Sequence, residues 1–166
     1  GHSARLLTES FHTVTVCLSK GLGAPGGALL FLPKSWTEKG LRLKRILGGA
    51  MRQAGILAAG GLFGLRHHRN LLSEDHRRAK ELALFFSEQK CFEIEPDRVV
   101  TNLILLRVKE TIPWDSEKLN ACLQERGVRV LPMNRSQIRV MTHLDIDDKA
   151  LQQAKQPFLD AIKALS

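Results

Sequence analysis

The sequence lacks several features that would assign a function by themselves. Its three cysteines, Cys17, Cys91 and Cys122, have no metal-ligand spacing. An odd number of such cysteines indicates reduced thiols in an intracellular protein rather than a disulfide framework. The only close histidine pair, His67 and His68, is adjacent rather than four residues apart. That spacing disfavours a zinc site, so we expect no metal.

Long apolar runs and a leader sequence are missing as well. The longest uncharged run in the middle of the chain, residues 53–65, is rich in glycine and too short to cross a bilayer. The first residues show no signal-peptide pattern, so we expect an intracellular protein, cytoplasmic or mitochondrial. A chain of 166 residues with 43% hydrophobic content is ordinary for a globular protein of one or two domains.

Acidic residues are scarce in the first part of the chain. Residues 1–70 contain ten lysines and arginines, two acids (Glu9 and Glu38) and no aspartate, whereas residues 71–166 contain fifteen charges of each sign. The whole excess of +8 therefore lies in the first 70 residues. Such an excess suits a nucleic-acid surface, or an anionic cofactor whose balancing carboxylates belong to other sequence.

Lys20 lies in the most informative stretch, VCLSKGLGAPGGALLFLP at residues 16–33. The runs on either side, residues 13–16 and 28–32, predict two strands, and the glycines between them permit a tight loop. A lysine held between two buried strands would be partly desolvated, and its amine would then be a usable nucleophile towards a carbonyl. Local chemistry alone favours a solvated turn lysine instead. A P-loop is excluded because the glycines follow the lysine.

The rest of the chain predicts helices followed by a small α/β unit. Capping patterns place helix starts at Ser35, Asn70, Ser116 and Asp147. Strands are expected at residues 99–108, 128–131 and 137–144, and Pro157 should kink or restart the last helix. The order from Cys91 onward is then β-α-β-β-α, a sheet with helices packed on one side. We expect two domains, residues 1–90 and 91–166.

Arg139 is a second candidate site residue. Alternation along QIRVMTHL, residues 137–144, places Arg139, Met141 and His143 on one face and the intervening residues on the other. If the arginine is buried it needs an anionic partner, and its planar fork matches a carboxylate. The pattern alone fits an exposed arginine on an edge strand equally well.

Four motifs together resemble one known family. They are CLSKGLGAP at 17–25, GGAMRQAGILAA at 48–59, EDHRRA at 74–79 and IRVMTHLDI at 138–146. The chain resembles the low-specificity L-threonine aldolases, which are pyridoxal 5'-phosphate (PLP) enzymes of fold type I. The resemblance implies an α/β fold: part of the PLP-binding large domain with its Schiff-base lysine over residues 1–90, then a small α/β C-terminal domain over 91–166. Family members carry a long stretch upstream, so the chain resembles the C-terminal portion of such an enzyme.

The resemblance also implies roles for individual residues. Lys20 would carry PLP covalently, Arg52 would lie near the cofactor and a subunit boundary together with Arg45, and Arg139 would bind the α-carboxylate of the substrate. The family's aspartate for the pyridine nitrogen and its histidine on the ring lie before the lysine. The implied activity is that of a lyase of threonine catabolism, cleaving L-threonine or L-allo-threonine to glycine and acetaldehyde. Family enzymes are usually tetramers with active sites at subunit interfaces, so we expect a homo-oligomer or pairing with a missing N-terminal half.

Two other functions stay open at this point. One is a different fold-type I PLP enzyme, such as an aminotransferase or β-lyase. The other is a catalytically inactive chain that acts as an interaction module, whose basic first half could bind nucleic acid.

Overall fold

The computed structural model of the chain describes residues 3–166, which form two compact units. The N-terminal unit ends at Arg69 and the C-terminal unit begins at Asn70. No helix within residues 3–166 is long and apolar enough to span a bilayer. Within the same residues, no group of three histidine, cysteine or acidic side chains is placed to hold a metal ion.

The N-terminal unit combines one β-hairpin with short helices. Its elements are α1 (Ala4–Thr8), β1 (Val14–Cys17), β2 (Ala28–Phe31), a 3-10 turn (Lys34–Trp36), α2 (Thr37–Ile46), α3 (Gly55–Phe63) and a π-helical turn (Gly64–His68). Strands β1 and β2 pair antiparallel with Val14 opposite Phe31 and Cys17 opposite Ala28. The predicted strand, loop and strand around Lys20 are therefore present. The predicted cap at Ser35 is not, because this residue lies inside the 3-10 turn that precedes α2.

The N-terminal unit buries few apolar side chains. Among residues 3–69, the buried ones are Leu18, Leu22 and Ala24, all on the loop between the two strands. The strands themselves are largely exposed, with Leu30 at 58% and Phe31 at 55%. The expectation of two buried strands is therefore wrong for this unit, because nothing within residues 3–69 covers either face of the hairpin fully.

The C-terminal unit is an antiparallel sheet with helices. Its elements follow a 3-10 turn (Arg69–Leu71): α4 (Leu72–Ser87), β3 (Phe92–Glu93), a 3-10 turn (Pro96–Arg98), β4 (Leu103–Val108), α5 (Ser116–Gln124), β5 (Leu131–Asn134), β6 (Gln137–Met141) and α6 (Asp148–Leu165). The strands lie in the order β3-β4-β6-β5, and every neighbouring pair is antiparallel. The predicted β-α-β-β-α order is β4-α5-β5-β6-α6, with β3 as an additional short edge strand.

Helix α4 belongs to the C-terminal unit. The observed boundary between the units therefore follows Arg69, whereas the expected one lay between residues 90 and 91. Its side chains Ala79, Leu82 and Phe86 belong to the same buried cluster as Ile104 of β4 and Phe158 of α6. Two arginines near the start of α4 also donate to the Asp148 carboxylate at the start of α6. Helix α4 therefore packs within the C-terminal unit.

Several boundaries within the C-terminal unit differ from those expected. Helix α5 is capped by Asp115, whose carboxylate accepts from the Lys118 N–H at 3.1 Å, while the Ser116 hydroxyl donates to the Asn134 carbonyl. Strand β5 begins at Leu131 rather than ending there, because its register pairs Leu131 with Arg139 of β6. Asn70 caps no helix, because α4 starts after the 3-10 turn.

Helix α6 is capped as predicted but is not broken. The Asp147 carboxylate accepts from the Ala150 N–H at 2.7 Å. The helix continues through Pro157 without restarting. Its buried residues Leu151, Phe158 and Ala161 pack against the sheet, so the opposite face of the sheet stays uncovered within this unit.

Candidate functional site

Three main-chain hydrogen bonds organise the loop that carries Lys20. The Leu18 N–H donates to the Gly27 carbonyl at 3.0 Å, and the Ala24 N–H donates to the Leu18 carbonyl at 3.0 Å. The Gly23 N–H donates to the carbonyl of Lys20 at 2.7 Å. Gly23 has a φ of +67° and Gly27 of +105°, angles that favour glycine. The loop is therefore an ordered turn closed on itself.

The loop buries its apolar side chains and leaves Lys20 exposed. Leu18, Leu22 and Ala24 are between 6% and 7% exposed. The Lys20 side chain is exposed, so the expected desolvation is absent within the N-terminal unit. The strands of the hairpin on either side of the loop are largely exposed as well.

A polar pair lies directly before the lysine. The Cys17 sulfur is 3.3 Å from the Ser19 hydroxyl oxygen. Hydrogen bonding to Ser19, aided by the charge of Lys20, lowers the pKa of the Cys17 thiol below its usual value.

Helix α3 and the π turn after it approach the loop closely. A Cβ atom built on Gly61 would lie 2.8 Å from a methyl carbon of Leu18, and one on Gly60 would lie 2.6 Å from the ring of Pro25. The Nδ1 atom of His68 is 2.8 Å from the Leu22 carbonyl oxygen. The adjacent histidines predicted only a poor zinc site at His68, and no local pattern in the sequence indicates this contact.

Arg52 lies on a second segment of the N-terminal unit, at a shallow pocket of about 340 Å³. Lys44 and Arg45 line the same pocket. Helix α2 ends in a glycine-terminated turn, which brings the following segment back beside the helix. In this turn Gly48 has a φ of +77° and its N–H donates to the Arg45 carbonyl, while the Gly49 N–H donates to the Lys44 carbonyl. Three cations therefore share one pocket that has no acidic residue in its lining. Lys20 does not line this pocket.

Arg139 lies on the uncovered face of the C-terminal sheet. Its cross-strand neighbours are Leu105 of β4 and Leu131 of β5, both half exposed. Its Nε and Nη2 atoms lie 3.1 and 2.8 Å from the sulfur of Met141, a weak acceptor. Among residues 3–166, no carboxylate oxygen lies within 4.0 Å of its guanidinium group. The guanidinium group can therefore donate hydrogen bonds to a carboxylate from outside the chain.

The alternation predicted for this strand is present. Ile138, Val140 and Thr142 are buried, whereas Met141 and His143 are exposed. Strand β6 lies between β4 and β5, so Arg139 is on an inner strand and not on an edge strand.

Asp75 of α4 is a buried carboxylate that was not predicted as a site residue. It is only 1% exposed, and neither carboxylate oxygen has a hydrogen-bond partner among the described residues, although the Arg78 guanidinium lies 4.0 Å from one of them. Burial raises the pKa of the Asp75 carboxyl. The nearby positive charges of Arg78, His143 and His76 act in the other direction but do not cancel this effect. The signal was available, because Asp75 precedes Ala79, Leu82 and Phe86 by helical spacings and therefore shares their buried face.

The sequence matches the beta-eliminating lyases over residues 1–111. It is 36% identical over 140 residues to low-specificity L-threonine aldolase 1 of Arabidopsis thaliana, covering 84% of this chain and 39% of that protein. It is 35% identical over 152 residues to the low specificity L-threonine aldolase of Escherichia coli O157:H7, covering 91% and 43%. The chain thus spans about two fifths of the length of these curated relatives.

Solved structures share the fold at low sequence identity. A Listeria monocytogenes EGD-E protein assigned as an L-allo-threonine aldolase superimposes with a TM-score of 0.77 at 17% identity, covering 96% of this chain and 47% of that one. A PLP-dependent aminotransferase from Streptococcus suis 89-1591 gives 0.69 at 16% identity, covering 93% and 42%. The fold is therefore that of part of a fold-type I PLP-dependent enzyme, as the sequence predicted. The family match narrows this class: the chain belongs to the beta-eliminating lyase family.

Proposed function

We propose that this chain carries the lysine, a cationic pocket and the carboxylate-binding arginine of a PLP-dependent aldehyde-lyase. Its substrates would be L-threonine and L-allo-threonine, cleaved to glycine and acetaldehyde. The observation that carries the proposal is the ordered loop that presents Lys20, the position that the resemblance assigns to the cofactor. The curated relatives named as low-specificity threonine aldolases support the choice of reaction.

The N-terminal unit fits two parts of the proposed cofactor. The exposed amine of Lys20 suits its aldehyde, and the pocket of Lys44, Arg45 and Arg52 suits an anionic group. When bound, PLP supplies an electron sink for bond cleavage at the substrate's Cα atom. We assign Lys20 to covalent attachment and Arg52 to the electrostatic support of the cofactor.

Arg139 is the proposed substrate residue. An amino-acid substrate presents a planar carboxylate, and a guanidinium group binds it through two parallel hydrogen bonds. The guanidinium of Arg139 contacts only a thioether sulfur among its polar neighbours within the described residues. Leu105 and Leu131, each half exposed, would give that pair apolar neighbours on either side.

We also propose that the N-terminal unit associates with further polypeptide, either in a homo-oligomer or with the upstream part of the large domain. The exposed apolar residues of its hairpin and of α2, among them Leu30, Phe31 and Ile46, support this. Such a partner would also supply the acid that the pyridine nitrogen needs, since residues 3–69 contain only Glu9 and Glu38. The mass of the chain in solution, by light scattering after gel filtration, tests this. A dimer or tetramer supports self-association, and a monomer contradicts it.

An intracellular location is part of the proposal. Cys17, Cys91 and Cys122 are all free thiols. Free thiols persist in reducing compartments such as the cytoplasm or the mitochondrial matrix, so labelling of the expressed chain in cell fractions tests this assignment.

A product assay separates the proposed reaction from its alternatives. The chain is incubated with PLP and either threonine isomer, and acetaldehyde, glycine, 2-oxo acids and ammonia are measured. We expect acetaldehyde and glycine in equal amounts, and loss of both in Lys20→Ala. A 2-oxo acid without acetaldehyde would indicate an aminotransferase or β-lyase instead. No product from either isomer would contradict catalysis by this chain and favour the interaction module.

A further inference from the structure

The carbonyl oxygen of Leu22 is held by a side chain from outside its own loop. The Nδ1 atom of His68 lies 2.8 Å from this oxygen. Because a carbonyl oxygen only accepts hydrogen bonds, the Nδ1 atom must carry the proton and donate. The neutral ring with Nδ1–H and the doubly protonated ring both do so. The contact therefore survives protonation of the imidazole.

Gly64 permits the approach of the helix to the same oxygen. A Cβ atom built on Gly64 would collide with the Leu22 carbonyl oxygen and lie 3.3 Å from its carbonyl carbon. A clash with main chain cannot be relieved by rotating a side chain. The requirement for glycine at position 64 and the hydrogen bond from His68 thus concern one atom, although they are independent observations.

The π-helical turn Gly64–His68 contains both of these residues. The turn is closed by the Arg69 N–H, which donates to the Gly64 carbonyl. Single π turns are rare in helices and occur often at functional sites. Here the turn places its first residue and its last residue against the Leu22 carbonyl oxygen. Its neighbour His67 is exposed, and the rings of both histidines pack on Phe63, with centroid distances of 4.4 Å for His67 and 5.2 Å for His68.

One peptide plane connects His68 to Lys20. The Leu22 carbonyl and the Gly23 N–H belong to the same peptide group, which is planar. His68 donates to the carbonyl of this peptide group, and the Gly23 N–H of the same group donates to the Lys20 carbonyl at 2.7 Å. A change in the orientation of this peptide group would therefore move the main chain of Lys20 directly.

We propose that His68 is a positioning residue for Lys20, which it orients through the Leu22–Gly23 peptide group, with Gly64 leaving room for that contact. This inference rests on the proposed role of Lys20 in holding the cofactor. It assigns to His68 no contact with substrate or cofactor. It explains why the loop stays ordered in a unit that buries few other apolar side chains.

The test uses the full chain and reads the order of the loop. His68→Leu removes the donor, His68→Asn keeps a donor nitrogen at the same distance from Cα, and His68→Gln moves it one bond further. His67→Leu is the matched control. The readouts are the rate of tryptic cleavage after Lys20 and the hydrogen exchange of the Gly23 amide. We expect both rates to rise about tenfold in His68→Leu, the effect of losing one such hydrogen bond on local opening.

The pattern across the variants decides the outcome. We expect His68→Asn to restore rates close to those of the original chain, His68→Gln to remain fast, and His67→Leu to change neither rate. If His68→Leu unfolds the unit, the comparison of Asn with Gln still tests positioning. Equal rates for all four variants and the original chain would overturn the proposal, and so would equal rates for Asn and Gln.

A second readout separates this inference from the proposed function. PLP is added, the sample is reduced with borohydride, and labelling of Lys20 is compared with labelling of Lys34. We expect the ratio to fall in His68→Leu and to recover in His68→Asn. If the original chain is not labelled at Lys20, the role of Lys20 fails while the cleavage and exchange results still stand. If Lys20 is labelled equally in all variants, positioning by His68 fails.

Discussion

The Thr142 hydroxyl donates a hydrogen bond of 2.6 Å to the main-chain carbonyl of Asp75. Thr142 follows the last residue of β6 and Asp75 lies in the first turn of α4, so this bond ties the end of the strand to the start of a helix. Asn102 binds both main-chain groups of Thr142, accepting from its N–H at 3.1 Å and donating to its carbonyl at 2.8 Å. The strand that carries Arg139 is thereby fixed at this end.

Replacing Thr142 with valine should destabilise the C-terminal unit. Valine has the same shape but no donor, so the buried Asp75 carbonyl loses one partner. We expect the free energy of unfolding to fall by about 1–3 kcal/mol. Urea denaturation measures this, and Thr111→Val, at an exposed site, should change the value by less than about 0.5 kcal/mol. Equal stability of the two variants would show that the hydroxyl bond contributes nothing.

The buried Asp75 carboxyl should make stability depend on pH. Its pKa in the folded unit is raised by burial above the ordinary value of 3.8, so the charged form disfavours folding. The free energy of unfolding should therefore decrease as pH rises from about 3.8 through the raised pKa of the folded state.

Asp75→Asn should remove this part of the pH dependence. The amide has nearly the same shape and carries no charge, so we expect the variant to be more stable than the original chain at neutral pH. Denaturation curves at several pH values measure both effects. Asp97→Asn is the control, because Asp97 is exposed and Lys80 lowers its pKa, so its loss should cost stability at neutral pH. A loss of stability at neutral pH in Asp75→Asn would contradict the account of Asp75.

Removing the Arg139 guanidinium should weaken binding of amino-acid carboxylates. We expect Arg139→Gln to raise the dissociation constant for glycine in the presence of PLP by roughly 10- to 100-fold, the effect of losing charge-assisted hydrogen bonds. Calorimetric titration measures it. Arg107→Gln is the matched control, since Arg107 lies on the same open sheet face but has Glu93 4.0 Å away. An equal loss in both variants would indicate a general charge effect.

The cationic pocket of Lys44, Arg45 and Arg52 should bind inorganic phosphate weakly. Because these side chains are exposed, we expect Arg52→Ala and Arg45→Ala each to weaken binding only about two- to fivefold, and added salt to weaken it further. Phosphorus NMR titration measures the affinity. Arg42 lies on the same helix and does not line the pocket. Arg42→Ala should therefore have no effect, and an equal loss would assign phosphate to the whole basic face of the helix.

Local signals in the sequence predicted the secondary structure around both site regions. β-Branched residues and glycines indicated the strand, loop and strand at Lys20, and alternation placed Arg139 opposite Ile138 and Val140. These patterns act within a few residues, and the structure reproduces them. The fold class came from resemblance over several motifs rather than from any one pattern.

Contacts between distant segments could not be read in the same way. The compact units divide after Arg69, whereas the predicted boundary lay at residue 90, because α4 packs on β4 and α6, which lie far along the chain. The exposure of Lys20 depends on what covers the hairpin, which the strand pattern does not specify. The bond from His68 to Leu22 joins residues 46 positions apart and has no periodic signature. Asp75 was the exception, because its helical spacing to Ala79 did indicate burial.

Covalent attachment of PLP at Lys20 tests the central claim most directly. The full chain is mixed with PLP, its visible absorbance is recorded, and the sample is reduced with borohydride before peptide mass spectrometry. We predict a visible band and one dominant adduct on the peptide that contains Lys20, both lost in Lys20→Ala and retained in Lys34→Ala. An adduct spread evenly over the exposed lysines, or no band in the original chain, would contradict the assignment of Lys20.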